Sequence, residues 1–213
     1  MSAARVEILG RIAAASSAAR PQPVPRRYRH AGERDPEART ELFCERAADY
    51  RARVHRVAAA ELEDALAARC EEHAARRLVA APGVSWRPRG VEVELDQTPI
   101  PAARLDGFDG VLSGCALAIA ETGTVVLDGS SLCGRRALTL VPDLHLCVVA
   151  AAAVVETVPE AVAALAPAAA AGSPLTFVSG PSATSDIELR RVDGVHGPRR
   201  LELFVVSHQI PAP

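Results

Sequence analysis

The chain has 213 residues, 49% hydrophobic and 23% charged, which is enough apolar material for one cored domain, with or without an N-terminal arm. Its formal net charge is -2 and aromatic residues make up only 3%, which argues against the basic footprint and stacking platforms of a nucleic-acid binder. All 24 basic side chains are arginine, so a lysine Schiff base, conventional pyridoxal phosphate attachment and the phosphate-loop and kinase lysines are excluded.

The opening stretch "MSAARVEILGRIAAASSAARPQP" lacks the continuous apolar core of a secretory signal. Residues 4–19 predict a weakly amphipathic helix with Ile8, Leu9 and Ile12 on one side. "RPQPVPRRYRHAGERDP" then reads as an extended arm, either wrapping a partner subunit or hanging loosely. Residues 1–36 are thus expected to be helix and arm, and 37–213 the domain.

Asp35-Pro36-Glu37 is a helix start: a capping acceptor, proline at the first helical position and an acid in the first turn. This helix is expected to turn Leu42, Phe43, Ala47, Tyr50 and Val54 toward the core. "HRVA" is a short strand candidate, residues 59–76 a second amphipathic helix, and "RLVAAPG" and "VEVEL" further strands. Next, "ALAIA" and "TVVLD" read as strands around the polar hinge Glu121-Thr122-Gly123-Thr124. "LHLCVVA" and "AAVVE" read as paired buried strands, too short together to span a membrane. Pro159 begins a helix that Gly172 ends, "LTFVS" is a strand, "SDIELRRV" a short helix and "RRLELFVVS" the last strand. Alternating helices and strands predict an α/β layered domain with a central, mostly parallel sheet.

Five cysteines (44, 70, 115, 133 and 147) include no C-x-x-C pair. The expected state is a reduced, cytoplasmic protein with free thiols, and no iron–sulfur cluster on this chain alone, because clusters need grouped thiolates.

Three polar constellations carry candidate chemistry. In "SGPSATSDIE", Ser185 and Glu188 fit the S-x-x-E capping box. Gly180, Pro181, Ser182 and Thr184 precede it, and a strand, then Gly-Pro-Ser, then a helix start is a candidate anion cradle. In "GVHGP", His196 sits at the centre of a tight turn, as a hydrogen-bonder or a proton carrier. In "AETGT", Glu121 ends an apolar strand, where ligands often bind in α/β folds; the alternative is pairing with an arginine. Arg135 and Arg136 are candidates for that pairing or for clamping a carboxylate, and His145 follows in the same segment. Glu121, His196 and Asp186 are therefore the candidate catalytic groups. Thr122, Gly123, Thr124, Arg135, His145, Gly180, Pro181, Ser182 and Thr184 are the candidate ligand contacts. Asp186, Glu188, His196 and His145 share no recognised metal spacing, so no metal is expected. A serine hydrolase built on Ser182, Asp186 and His196 lacks the G-x-S-x-G elbow.

"AIAETGTVVLD", "GRRALTLVPDLHLCVV" and "FVSGPSATSDIELRRVDGVHGPRRLELFVV", in this order and spacing, resemble the lactate utilization protein C family, the LUD-domain proteins of the LutC/YkgG type. The resemblance covers roughly residues 37–206. Ser185 stands where the family more often has alanine. The resemblance implies a fold similar to the phosphosugar isomerase and CoA-transferase class. It also implies a component of an L-lactate-to-pyruvate oxidation system whose iron–sulfur motifs lie on partner proteins. With the candidate anion cradle, the expectation is that this chain binds a small anionic ligand or docks to those partners. A homo-oligomer is compatible with it, and membrane insertion is not expected. The alternative is a stand-alone enzyme of CoA-transferase type with Glu121 as nucleophile or base.

Overall fold

A computed structural model of the chain describes residues 3–16, 24–25, 27–185 and 191–207. Helix α1 (Ala3–Ser16) comes first and has no buried residue. Helix α2 (Pro36–Asp49) starts where its cap requires: Asp35 Oδ1 accepts the Ala38 N–H at 2.9 Å and Pro36 opens the first turn. Strand β1 (Arg53–Ala58), helix α3 (Leu62–Glu72), strands β2 (Arg77–Ala80) and β3 (Glu92–Leu95) and the one-turn helix α4 (Ala102–Leu105) follow. The second half contributes β4 (Gly110–Gly114), β5 (Leu117–Ile119), β6 (Thr124–Leu127), β7 (Leu144–Ala150) and β8 (Val154–Val155). Helix α5 (Val158–Ala170), β9 (Thr176–Val178), β10 (Ala183–Ser185), β11 (Arg191–Asp193) and β12 (Arg200–Ser207) complete it. Helix α5 opens on a full capping box between Thr157 and Glu160. Pro167 removes one backbone donor from its last turns, and the helix stops three residues later.

Six strands form one parallel sheet in the order β1-β12-β7-β4-β2-β3. Its central strands are buried along nearly their whole length, as expected when both faces of a parallel sheet are covered. Alternation along β7 divides the core. Leu144, Leu146 and Val148 join the layer beneath α3, with Leu66, Leu78 and Phe204. Cys147 and Val149 join the opposite layer, with Phe43 and Ala47 of α2 and with Leu201, Leu203 and Val205 of β12. Beyond that layer stands a second, four-stranded sheet, β8-β5-β6-β9, and α5 closes its far side through Ala161 and Leu165. The expected α/β layering with a central parallel sheet is therefore what the chain builds.

Several local expectations change. The "ALAIA" and "TVVLD" strands form an antiparallel pair in the smaller sheet, not part of the central one. Strands β7 and β8 are both present but belong to different sheets. Tyr50 is 57% exposed, because α2 ends at Asp49 and Tyr50 lies past its last inward turn. The expected helix over 185–192 is replaced at both ends by strand: β10 and β11 pair antiparallel, with Ser185 opposite Arg191. Ser185 is thus in a ladder and not at a helix N-cap; Glu188 lies outside the described residues. Among the described residues, no helix is long and apolar enough to cross a membrane.

Candidate functional site

Strand β7 enters the sheet at Leu144, so His145, its second residue, stands at the amino-terminal edge between Val111 of β4 and Leu201 of β12. It is 1% exposed, and its Nε2 lies 2.8 Å from Ser113 Oγ. Above it opens a cleft of about 270 Å³ lined by Arg136, Thr139, His145, the 176–183 segment and the 196–198 turn.

The cleft wall is the segment that the sequence singles out. Gly180 has φ +127°, and a Cβ there would stand 2.5 Å from the Tyr50 carbonyl oxygen, so only glycine fits this turn. Ser182 then locks the histidine turn onto the wall. Its N–H donates to the Pro198 carbonyl at 2.8 Å, its carbonyl accepts the Gly194 N–H at 2.8 Å, and its Oγ accepts the His196 N–H at 2.9 Å. The Ser182 amide is therefore used internally. The Ser182 hydroxyl proton is left to donate, so hydroxyls and a cation, more than a backbone nest, offer the contacts to a ligand.

That cation is Arg136. Its guanidinium donates to the Thr139 carbonyl at 3.1 Å and to Thr139 Oγ1 at 2.8 Å, and no carboxylate among the described residues pairs with it. Partial burial lowers its pKa, though a guanidinium stays charged at any ordinary pH. A positive charge on a half-buried wall, without a counter-ion among the described residues, is an electrostatic site for an anion, and its planar fork suits a carboxylate.

The other candidates lie elsewhere. Arg135, next in sequence, points the other way: its Nε and Nη2 hold Asp96 at 2.6 and 3.1 Å, and Asp96 also accepts the Ile100 N–H. Glu121, Thr122 and Gly123 form the β5–β6 turn and Thr124 opens β6, all outside the cleft lining. Gly123, at φ +58°, lets that turn press against α2, since a Cβ would stand 2.4 Å from the Ala47 nitrogen. A hydroxyl chain nevertheless joins this turn to the wall: Thr122 Oγ1 lies 2.7 Å from Thr124 Oγ1, which lies 2.7 Å from Ser179 Oγ. Thr184 lies within β10, whose backbone pairs it with Val192. Asp186 is outside the described residues. The structure thus brings together Arg136, His145, His196, Gly180, Pro181 and Ser182, and adds Thr139 and, behind His145, Ser113.

Glu121 has a different companion. Its carboxylate is bound by Arg29 of the arm, which also reaches Glu156 at 3.2 Å. Glu156 is fully buried and accepts from the Glu33 N–H, the Arg34 N–H and the Arg34 guanidinium at 2.9, 2.7 and 2.8 Å. The Arg34 amide, opposed by burial and assisted by the Glu33 amide and the Arg34 charge, holds this carboxyl below the usual range. Residues 29–34 are therefore a latch on the domain.

Another buried carboxylate, Glu202 of β12, was not a sequence candidate. His55 Nε2 and His73 Nε2 lie 2.6 and 2.7 Å from its two oxygens, and Arg53 lies 3.5 Å away. Burial raises its pKa, but the imidazole hydrogen bonds and the Arg53 charge outweigh that and hold it low. The only sequence signal was an acid inside an otherwise apolar strand, "LELFVV". Its histidine partners come from elements more than a hundred residues away. Among the described residues no group of three or more histidine, cysteine or acidic side chains is arranged to hold a metal ion.

A family model described as the LUD domain matches residues 40–206. The chain is 46% identical over 209 residues to the lactate utilization protein C of Deinococcus radiodurans, a match covering 96% of each. It is 37% identical to lactate utilization protein C 1 of Bacillus mycoides, over 44% of this chain and 41% of that one. With the lactate utilization protein C of Geobacillus kaustophilus the identity is 35%, over 57% and 53%. Among solved structures it is similar to a DUF162 family protein from Deinococcus radiodurans, at a TM-score of 0.72 and 40% identity, covering 82% of this chain and all of that one.

Proposed function

This chain belongs to the LUD domain family, and from that premise we propose that it serves L-lactate utilization as a component that carries no cluster of its own. In this reading it acts in the cytoplasm with iron–sulfur partner proteins, in the oxidation of L-lactate to pyruvate. Relatives named lactate utilization protein C support the process. The chain's own task is to hold a small carboxylate or similar anion in the cleft. The observation that carries the ligand reading is Arg136, a guanidinium without a carboxylate partner among the described residues, on the wall of a cleft floored by His145. Arg136 would take the anionic end, while the Ser182 hydroxyl and His145 offer polar contacts around it. Glu121 has no part in this proposal, because Arg29 already engages it and it lies outside the cleft.

Two experiments test the reading. Deleting the gene in the native host should abolish growth on L-lactate while sparing growth on glucose; unimpaired growth on lactate in a strain with no second copy would overturn the process assignment. Purified protein titrated calorimetrically with L-lactate, pyruvate and inorganic phosphate should bind at least one of them. Binding to none would remove the anion assignment.

A further inference from the structure

The anion cleft opens at the amino-terminal ends of the central strands. A larger cavity, of about 720 Å³, lies at the carboxyl end of β3 and shares no lining residue with the cleft. Its walls are β3 from Val93 to Leu95, the loop from Gln97 to Pro101, and Arg87 and Arg104. Open α/β sheets hold their ligands outside the carboxyl ends of their strands, and this volume is that of a small-molecule site. The loop wall is fixed from behind. Asp96 is buried; its carboxylate accepts the Ile100 N–H at 2.8 Å and is held by Arg135, which also donates to the Ile100 carbonyl. Pro99 and Pro101 flank Ile100 and restrict φ on both sides. Such a wall needs little ordering when a ligand arrives.

The cavity also has donors to spare. Arg87 Nη1 donates to the Val84 and Trp86 carbonyls at 3.2 and 2.8 Å, and Glu63 accepts only the Arg87 backbone N–H. No carboxylate among the described residues pairs with the Arg87 guanidinium. The Gln97 and Thr98 side chains have no hydrogen-bond partner among the described residues. Arg104 is already matched, since its Nη2 meets both Glu94 oxygens at 2.6 and 2.7 Å. Arg87 is therefore the uncompensated charge of this cavity.

We propose that this cavity is a second ligand site, for an organic acid larger than lactate that carries a carboxylate on an apolar body. The Arg87 fork takes the carboxylate, and the Gln97 amide and Thr98 hydroxyl add hydrogen bonds around it. Val93, Leu95 and Ile100 give the body an apolar wall, which a lactate-sized acid is too short to use. The site stands independently of the cleft, because the cleft cation is Arg136 and lines only the other cavity.

The test uses the full-length chain carrying Arg136→Gln, so that the cleft does not compete for the probe. It is titrated calorimetrically with hexanoate, with hexanamide as the uncharged counterpart and with acetate as the head group alone. Hexanoate should bind at least about tenfold more tightly than either, since one lacks the charge and the other the apolar body. It should also shift the emission of Trp86, the only tryptophan of the chain, whose carbonyl the Arg87 guanidinium holds. Adding Arg87→Gln should weaken hexanoate binding at least about tenfold. Thr98→Glu, at an exposed side chain that no hydrogen bond uses, sets a like charge beside the carboxylate and should weaken it as well; it keeps the test open if Arg87→Gln fails to fold. No binding of hexanoate, binding no tighter than that of hexanamide, or binding untouched by Arg87→Gln or Thr98→Glu would overturn the proposal.

Discussion

The Arg34 backbone N–H donates to Glu156 Oε2 at 2.7 Å while the Arg34 guanidinium donates to Oε1 at 2.8 Å, so one arm residue grips both oxygens of a buried carboxylate. Gly32 passes so close that a Cβ would stand 2.3 Å from the Glu156 Cβ. Glu156→Gln leaves the shape almost unchanged but replaces an acceptor oxygen with a donor facing backbone N–H groups. Trypsin should then cut at Arg27 and Arg29 several-fold faster than in wild type, leaving the domain whole. The folded carboxyl is lowered, so the latch contributes fully above the ordinary carboxylate range and is lost as pH falls through the folded value. Melting temperatures of wild type and variant should accordingly differ at pH 7 and converge in acid.

Glu202 predicts a larger loss. Removing the acceptor from a buried hydrogen-bonded cluster leaves its partners unmatched, here the His55 and His73 imidazoles, while Arg53 keeps Glu72. Glu202→Gln should lower the unfolding free energy by about 3 kcal/mol at pH 7, read from urea denaturation. The folded carboxyl is again lowered, so its contribution is complete above the unfolded value and disappears as pH falls through the folded one. A gap between variant and wild type that stayed constant into strong acid would contradict the role given to the ionised carboxylate.

Gly180 and Gly90 separate backbone strain from steric contact. Both have φ in the range that favours glycine, +127° and +75°, but a Cβ at Gly90 would meet nothing within 4 Å. Gly90→Ala should cost about 1 kcal/mol, the left-handed penalty alone. Gly180→Ala adds a contact at 2.5 Å with the Tyr50 carbonyl, a backbone atom unable to swing aside, and should cost about 3 kcal/mol. Equal losses at the two sites would mean that the Gly180 turn relaxes away from Tyr50.

Helices were the most legible part of the sequence, because their boundaries are chemical. Asp35-Pro36 marks a start that the structure keeps, and Pro159 falls one residue inside the helix that Thr157 caps. Strand β4, "GVLSG", escaped, since two glycines and a serine give little strand propensity and its stability comes from neighbours on both sides. "SDIELRRV" misled for a related reason. A capping box is a local pattern, and the pairing of Ser185 with Arg191 overrides it. Of the candidate site, the Gly-Pro-Ser wall, His145 and His196 were visible as motifs. Which of two adjacent arginines faces the cleft was not, because that choice is fixed by Asp96, about forty residues upstream.

That choice between Arg135 and Arg136 gives a paired prediction. Arg136→Gln removes the cleft cation while leaving Thr139 two neutral polar groups to bond, so the fold should lose less than about 1 kcal/mol. Any anion the cleft holds should bind at least about tenfold more weakly, the size expected when one charge-assisted hydrogen-bond pair is removed. Arg135→Gln should do the reverse. It leaves the nearly inaccessible Asp96 carboxylate without its bidentate partner and should cost about 2 kcal/mol, between the surface and buried limits for ion pairs, with anion affinity kept. Calorimetric titration and urea denaturation of both variants read the two quantities separately. If Arg135→Gln, still folded, lost affinity as severely as Arg136→Gln, the cleft cation would have been assigned to the wrong arginine.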